Sequence, residues 1–250
     1  MSDLVSRRTV LGGAAAGAAA VALGAPPAGA ATDELSLPAT WLARRAQTVV
    51  TRAQQPFLRN HSLRSFLFAR AAAGRQGKRP NEHYDPELVF LICLLHDMGL
   101  TEEAKSDLRF EVAGADFAAR FLESHGITDR RVDTVWDAIA LHTTQHLRES
   151  PVFQRRRPVE IGIAQIGIGI DLTGPDEPGQ IPPGFAERVH ARYPRLGGCR
   201  ALTEVMVGQC LANPGKAPAM TLPGEIFHQR YPALPYPTWD MVLDANIWGD

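Results

Sequence analysis

Four residues set chemistry-bearing side chains into core-grade sequence: His61, the adjacent pair His96 and Asp97, and Asp171. The pair ends an apolar run, Glu87-Leu88-Val89-Phe90-Leu91-Ile92-Cys93-Leu94-Leu95, and is followed by Met98-Gly99-Leu100-Thr101. An imidazole and a carboxylate at the buried end of a helix are costly unless a partner offsets their desolvation. A divalent metal ion is the usual partner. His61 opens a second apolar stretch, and Asp171 follows Ile166, Ile168 and Ile170. Two imidazoles and two carboxylates give a mixed nitrogen and oxygen shell suited to zinc, iron or manganese, with positions left for water. Each side chain also has a local alternative. His61 could bond at a helix start, Asp97 could cap a helix end, and Asp171 could be a loop carboxylate.

The segments that must position these groups read as helices. Apolar spacing predicts helices over residues 41–52, 61–74 with Asn60 as N-cap, and 87–96 with Asp85 as cap and Pro86 at the first position. Val112, Ala115, Ala118, Ala119 and Leu122 mark a helix over 111–125 that Gly126 stops. Asp129 caps a helix carrying Val132, Val135, Trp136, Ile139 and Ala140. Pro158 begins a run through Ile170 whose Ile-Gly-Ile-Gly-Ile centre also fits a strand; its length and helical neighbours favour helix. Two further helices are expected over 183–192 and 198–211. The expected fold class is all-α, a helical bundle that builds its site between facing helices. An irregular Pro/Gly-rich tail over 216–250 is expected to pack on it.

The order His…His-Asp…Asp resembles the HD superfamily of metal-dependent hydrolases. Four segments occur in the order of one branch: Asn60-His61-Ser62-Leu63-Arg64, Leu95-His96-Asp97-Met98-Gly99-Leu100-Thr101, Arg109-Phe110-Glu111-Val112-Ala113-Gly114-Ala115, and Trp136-Asp137-Ala138-Ile139-Ala140-Leu141-His142-Thr143. Together they are similar to cyanamide hydratase-like proteins over roughly residues 40–215. The resemblance implies an HD-type helical domain over 31–215 in which His61, His96, Asp97 and Asp171 bind one metal ion, zinc ahead of iron or manganese.

Further residues take roles around that ion. His142 ends an apolar face and is a candidate for moving a proton, positioning substrate or binding a second metal; a satisfied core histidine is the alternative. Asp97 is a catalytic candidate as well as a ligand. His146 lies four residues on, where both rings could share a helix face, and is assigned to the rim. Glu111 and Thr101 are candidate substrate-binding residues. Arg64, three residues after His61, could orient a ligating carboxylate or pair with Glu111. His83, His125, His190 and His228 fall in polar or loop contexts and are expected to be solvated.

The chemistry expected is attack of metal-activated water on a small nitrile-like molecule, such as cyanamide. Many phosphohydrolases of the superfamily carry Lys three residues after the Asp, where this chain has Leu100. No Lys or Arg lies between Cys93 and Glu102, and no Gly-rich phosphate loop exists. Phosphoester hydrolysis is the alternative, with Arg64, Lys105, Arg109 and Arg148 supplying contacts from elsewhere. An exported domain that binds metal or ligand without catalysis is a third.

The chain as a whole limits partners. Its 250 residues carry a net charge of −1, which gives no case for nucleic acid. The N-terminus opens with Arg7-Arg8, continues through a Gly/Ala/Val/Leu stretch and reaches Ala28-Gly29-Ala30. This reads as a signal peptide over 1–30 that resembles twin-arginine signals. The expectation is export to the periplasm or beyond through that machinery, with no membrane span left after cleavage. Cys93, Cys199 and Cys210 are irregularly spaced and make no disulfide framework; Cys93 reads as a core thiol, and a Cys199–Cys210 bridge is conceivable but unsupported.

Overall fold

Asp85 begins the helix that organises the molecule. Its carboxylate accepts from the amides of Glu87 and Leu88, and Pro86 takes the first helical position. Every residue from Leu88 to Leu95 is buried, so this helix has no solvent face and forms the centre of the core. The computed structural model describes residues 34–248; the expected signal peptide lies outside the described residues. Of the unit Met1–Ser36, the described part begins with a turn at Glu34 and Leu35. All described helices belong to the unit Leu37–Asp250.

In chain order these are α1 (Trp41–Ala53), α2 (Pro56–Arg75), α3 (Pro86–Leu95), α4 (Phe110–Ser124), α5 (Arg130–Ala140), α6 (Pro151–Arg156), α7 (Val159–Thr173), α8 (Phe185–Arg192), α9 (Gly198–Ala212), α10 (Leu222–Arg230) and α11 (Trp239–Asp244). Single 3₁₀ turns cover Met98–Leu100, Glu102–Ala104 and Pro214–Lys216. Among the described residues there is no strand, only an isolated bridge between Pro80 and Tyr84. The all-α class is therefore observed, and the Ile-Gly-Ile-Gly-Ile segment is helix. No described helix is long and apolar enough to cross a membrane.

Two close approaches fix the geometry. α7 lies along α2, and a Cβ on Gly167 would stand 2.1 Å from the Ser65 carbonyl oxygen. On the other side of α3, a Cβ on Gly99 would stand 1.9 Å from the Phe110 carbonyl oxygen, and one on Gly114 2.9 Å from that of His96. The turn that follows α3 is thus pressed against the start of α4 without side chains between them.

Three local expectations are corrected. α2 starts at Pro56, more than a turn before Asn60, because proline's fixed φ opens the helix there. Asn60 is inside the helix and its amide donates to the Pro194 carbonyl. α5 ends at Ala140, so His142 and His146 do not share a helix face; His146 has φ 64°. In the C-terminal segment Phe227 of α10 packs against Val207 and Cys210 of α9, as expected of the tail, but α11 leaves Trp239, Met241, Val242 and Leu243 exposed.

Candidate metal centre

His61 projects from the second turn of α2, and His96 with Asp97 from the turn that leaves α3. Their ligating atoms all lie within 4.8 Å of one another and all three residues are buried. The two Nε2 atoms are 3.2 Å apart. Asp97 Oδ2 lies 3.2 Å from His96 Nε2 and 3.6 Å from His61 Nε2.

The other ring nitrogens decide what these atoms can do. His96 Nδ1 donates to the Cys93 carbonyl at 2.8 Å, and His61 Nδ1 donates to Asp171 Oδ2 at 2.6 Å. A neutral imidazole with its proton on Nδ1 presents a lone pair on Nε2. Two lone pairs therefore face each other across 3.2 Å, beside a carboxylate oxygen. Asp97 Oδ2 is itself buried with no hydrogen-bond partner. Such a cluster of acceptors could hold a cation. Two donors each about 2.1 Å from one ion stand about 3.0–3.4 Å apart for angles between a right angle and the tetrahedral value. Two of the three observed spacings, both 3.2 Å, fall in that range, and the third, 3.6 Å, lies just beyond it.

Electrostatics agree. Burial alone raises the Asp97 carboxyl, but the imidazoles of His96, His61 and His142 override it and hold it well below the usual carboxylate range. Burial lowers His96, and Asp97 with the Cys93 carbonyl more than reverses this.

Asp171 does not join the cluster. Its Oδ1 accepts from Arg64 Nε at 2.6 Å and its Oδ2 from Arg64 Nη2 at 2.8 Å, a two-pronged contact that includes the oxygen bound to His61. It stands behind His61, where it fixes the ring's tautomer and direction. Burial raises this carboxyl and the His61 and Arg64 contacts outweigh it, leaving it well below its ordinary range. Arg64 is itself fully buried and also donates to the carbonyls of Tyr193 and Pro194. Its expected role as the support of a carboxylate is seen, on Asp171 and not on Glu111.

His142 borders the same space. Its ring meets His96 edge-on with centroids 5.1 Å apart, and Phe110 at 5.6 Å. Nδ1 donates to the Ile139 carbonyl at 2.6 Å, which leaves Nε2 as an acceptor. Loss of hydration and the neighbouring His96 push its pKa down to about 4.

These groups form the floor of a cavity of about 430 Å³. Thr143, Gln165, Ile168, Leu172, Leu202 and Met206 line its wall, and His146, Arg148, Glu149 and Asp176 its mouth. The rim position expected for His146 is observed. Glu111 lies behind the wall: fully buried, it accepts from the Thr143 hydroxyl at 2.7 Å and from Arg109 at 2.9 Å. It positions Thr143 rather than contacting the cavity. Thr101 is a second correction. Its hydroxyl donates to the Met98 carbonyl at 2.7 Å, closing the turn, and it does not line the cavity.

Three of the four histidines expected in solvent are partly buried. His190 packs on Phe68 and lies 3.9 Å from Asp171 Oδ1, His125 packs on Phe121, and His228 stacks on Tyr236. His83 alone is exposed. All three cysteines are free, and burial raises the Cys93 thiol.

Sequence reasoning missed Thr143, Leu202 and Met206. Thr143 carried a signal, since it follows His142 directly; the other two look like ordinary core residues of α9.

Comparison with known families gives this geometry its setting. Residues 58–172 match the HD domain. HD domains are all-α, bind a divalent metal and are in general metal-dependent hydrolases. The matched region contains His61, His96, Asp97, His142 and Asp171, so the buried group that could hold a metal lies within the stretch similar to the HD domain. No curated protein matches the chain.

Proposed function

We propose that this protein is a metal-dependent hydratase that adds water to a small, weakly charged nitrile-like substrate, as in the conversion of cyanamide to urea. One observation carries the choice within the superfamily: the four cations considered for a phosphate are each paired with a carboxylate. Arg64 is held by Asp171, Arg109 by Glu111, and Lys105 by Glu102. Arg148, the one Arg or Lys lining the cavity, is held between Glu149 at 2.7 Å and Asp176 at 2.8 Å. Leu100 is packed with Leu58, Phe110 and Met206, so a lysine there would bury its charge in an apolar cluster.

His61, His96 and Asp97 would hold the ion, and two nitrogens with one oxygen favour zinc. A divalent ion held there would supply a Lewis acid and lower the pKa of bound water. Asp171 and Arg64 keep His61 aimed. His142, neutral at physiological pH with Nε2 open, accepts a proton from the attacking water and returns it to the nitrile nitrogen. Thr143 spends its hydroxyl proton on Glu111 and so offers the cavity lone pairs, which suit the N–H groups of an amide or urea product. The twin-arginine-like N-terminus supports a reading in which this activity lies outside the cytoplasm, with a small molecule as its partner.

The test is metal analysis followed by turnover of cyanamide and small nitriles against a panel of phosphomonoesters and phosphodiesters, using metal-loaded protein. Amide or urea formation that disappears in His96→Ala is the expected result. Phosphoester turnover lost in that variant, with no hydration of any nitrile, overturns the reading.

A further inference from the structure

The floor of the cavity is polar, but beside Thr143 and Gln165 its wall carries a stretch of apolar side chains. Phe110 from α4, Ile168 and Leu172 from α7, Leu202 and Met206 from α9, and Leu222 from α10 turn apolar surface toward it. Phe110 and Met206 are 4 % and 2 % exposed and belong to one core cluster with Leu58 and Leu100, with Leu202 packed against it. This part of the wall is thus anchored in the core, while Leu172 and Leu222 lie at its exposed edge. Three of its members, Leu202, Met206 and Leu222, lie beyond residue 172, outside the region that matches the HD domain. The chain after that region contributes half of the wall.

A volume of about 430 Å³ lies in the range of sites that enclose drug-sized ligands. Cyanamide, with three heavy atoms, would leave most of this apolar surface facing water. Arg148 at the mouth is neutralised by two carboxylates, so nothing there selects an anionic tail.

We propose that the substrate carries an apolar body of several carbons, alkyl or aryl, which lies against this wall while its polar head meets the floor. This rests on the hydratase reading for the identity of the head, and on the wall alone for the body. The body contributes binding energy that increases with each methylene buried, about fourfold in affinity per group.

Titration calorimetry of metal-loaded protein with straight-chain nitriles from acetonitrile to octanenitrile, and with the matching amides, reads the wall without requiring turnover. Dissociation constants should fall about fourfold per methylene over the first several carbons. Leu222→Ser and Leu202→Ser should flatten that dependence; Leu222 is 39 % exposed, so its replacement spares the core. Affinity independent of chain length in both series overturns the proposal. So does a chain-length gain that survives in the double variant, because the binding then lies elsewhere. Steep chain-length binding with no nitrile hydrated supports the apolar body and removes the hydratase reading. Efficient cyanamide hydration with no gain from longer chains does the reverse.

Discussion

Asp171 Oδ2 lies 2.6 Å from His61 Nδ1, on the side of the ring remote from His96 and Asp97. Arg64 grips the same carboxylate. The three residues form a line from α2 to α7 and back, ending at His61 Nε2, which faces the cluster. Asp171→Asn is therefore expected to weaken metal binding by about 10- to 100-fold while leaving one ion bound per chain. Competition with a graded set of chelators measures this. Complete loss of stoichiometric binding would make Asp171 a direct ligand.

Arg64→Ala leaves the Asp171 carboxylate buried without its strongest cation. Breaking a buried pair in this way costs about 3–5 kcal/mol. Denaturant unfolding of metal-free protein should show that loss, and a change under about 1 kcal/mol would mean that water takes the place of the guanidinium. The double variant Arg64→Ala with Asp171→Asn should recover part of it, since it removes the unpaired charge as well.

His142 touches the site without belonging to the ligand cluster. His142→Gln should keep the metal content of the native protein and lower turnover by about 10²- to 10⁴-fold, the range for loss of a general acid–base group. Metal lost in parallel with activity would instead make it a ligand.

The same residue gives a pH signature. Its pKa falls from the ordinary 6.5 to about 4 in the folded protein, through lost hydration and the nearby His96. The unfolded chain therefore binds more protons at this residue between those values. Its contribution to stability is undiminished above about 6.5, declines as pH falls toward 4, and is constant below. Metal-free native protein should lose stability more steeply than His142→Gln between pH 7 and pH 4.5 in denaturant titrations. Equal slopes would place the ring in contact with water.

Much of this was legible in the sequence because it depends on local order. Asp85 and Asp129 announced their helices as caps, and both accept the backbone amides expected of them. The run around Ile166 carried enough length to be read as helix despite its alternation. The candidate metal cluster was legible because His61 and His96-Asp97 interrupt apolar runs where burial is otherwise complete. Pairing between distant charges was not. Arg64 could face Asp171 or Glu111 with equal ease in one dimension, and Arg109 and Glu111, two residues apart, do not face each other on a regular helix. The bond that decides between them depends on how α2, α4 and α7 cross. Thr101 failed for a related reason: a hydroxyl just past a ligand pair reads as a pocket group, but the turn after α3 uses it to satisfy its own carbonyl.

Gly167 sets one of those crossings. Gly167→Ala puts a methyl group 2.1 Å from the Ser65 carbonyl and 2.5 Å from the Ala69 Cβ. The helices must part, at a cost of about 1–3 kcal/mol or more. Because Asp171 lies one turn further along α7, metal affinity should fall with stability. A shifted urea midpoint with unchanged metal affinity would show that the helix ends move independently.

Arg148 remains as a lesson for redesign. A phosphate-accepting mouth is usually imagined as one to which a positive charge must be added. Here the guanidinium is already in place, held between Glu149 and Asp176. Opening this cavity to anions is a problem of subtraction: two neutral substitutions on the rim would release a cation that the fold has already built and oriented.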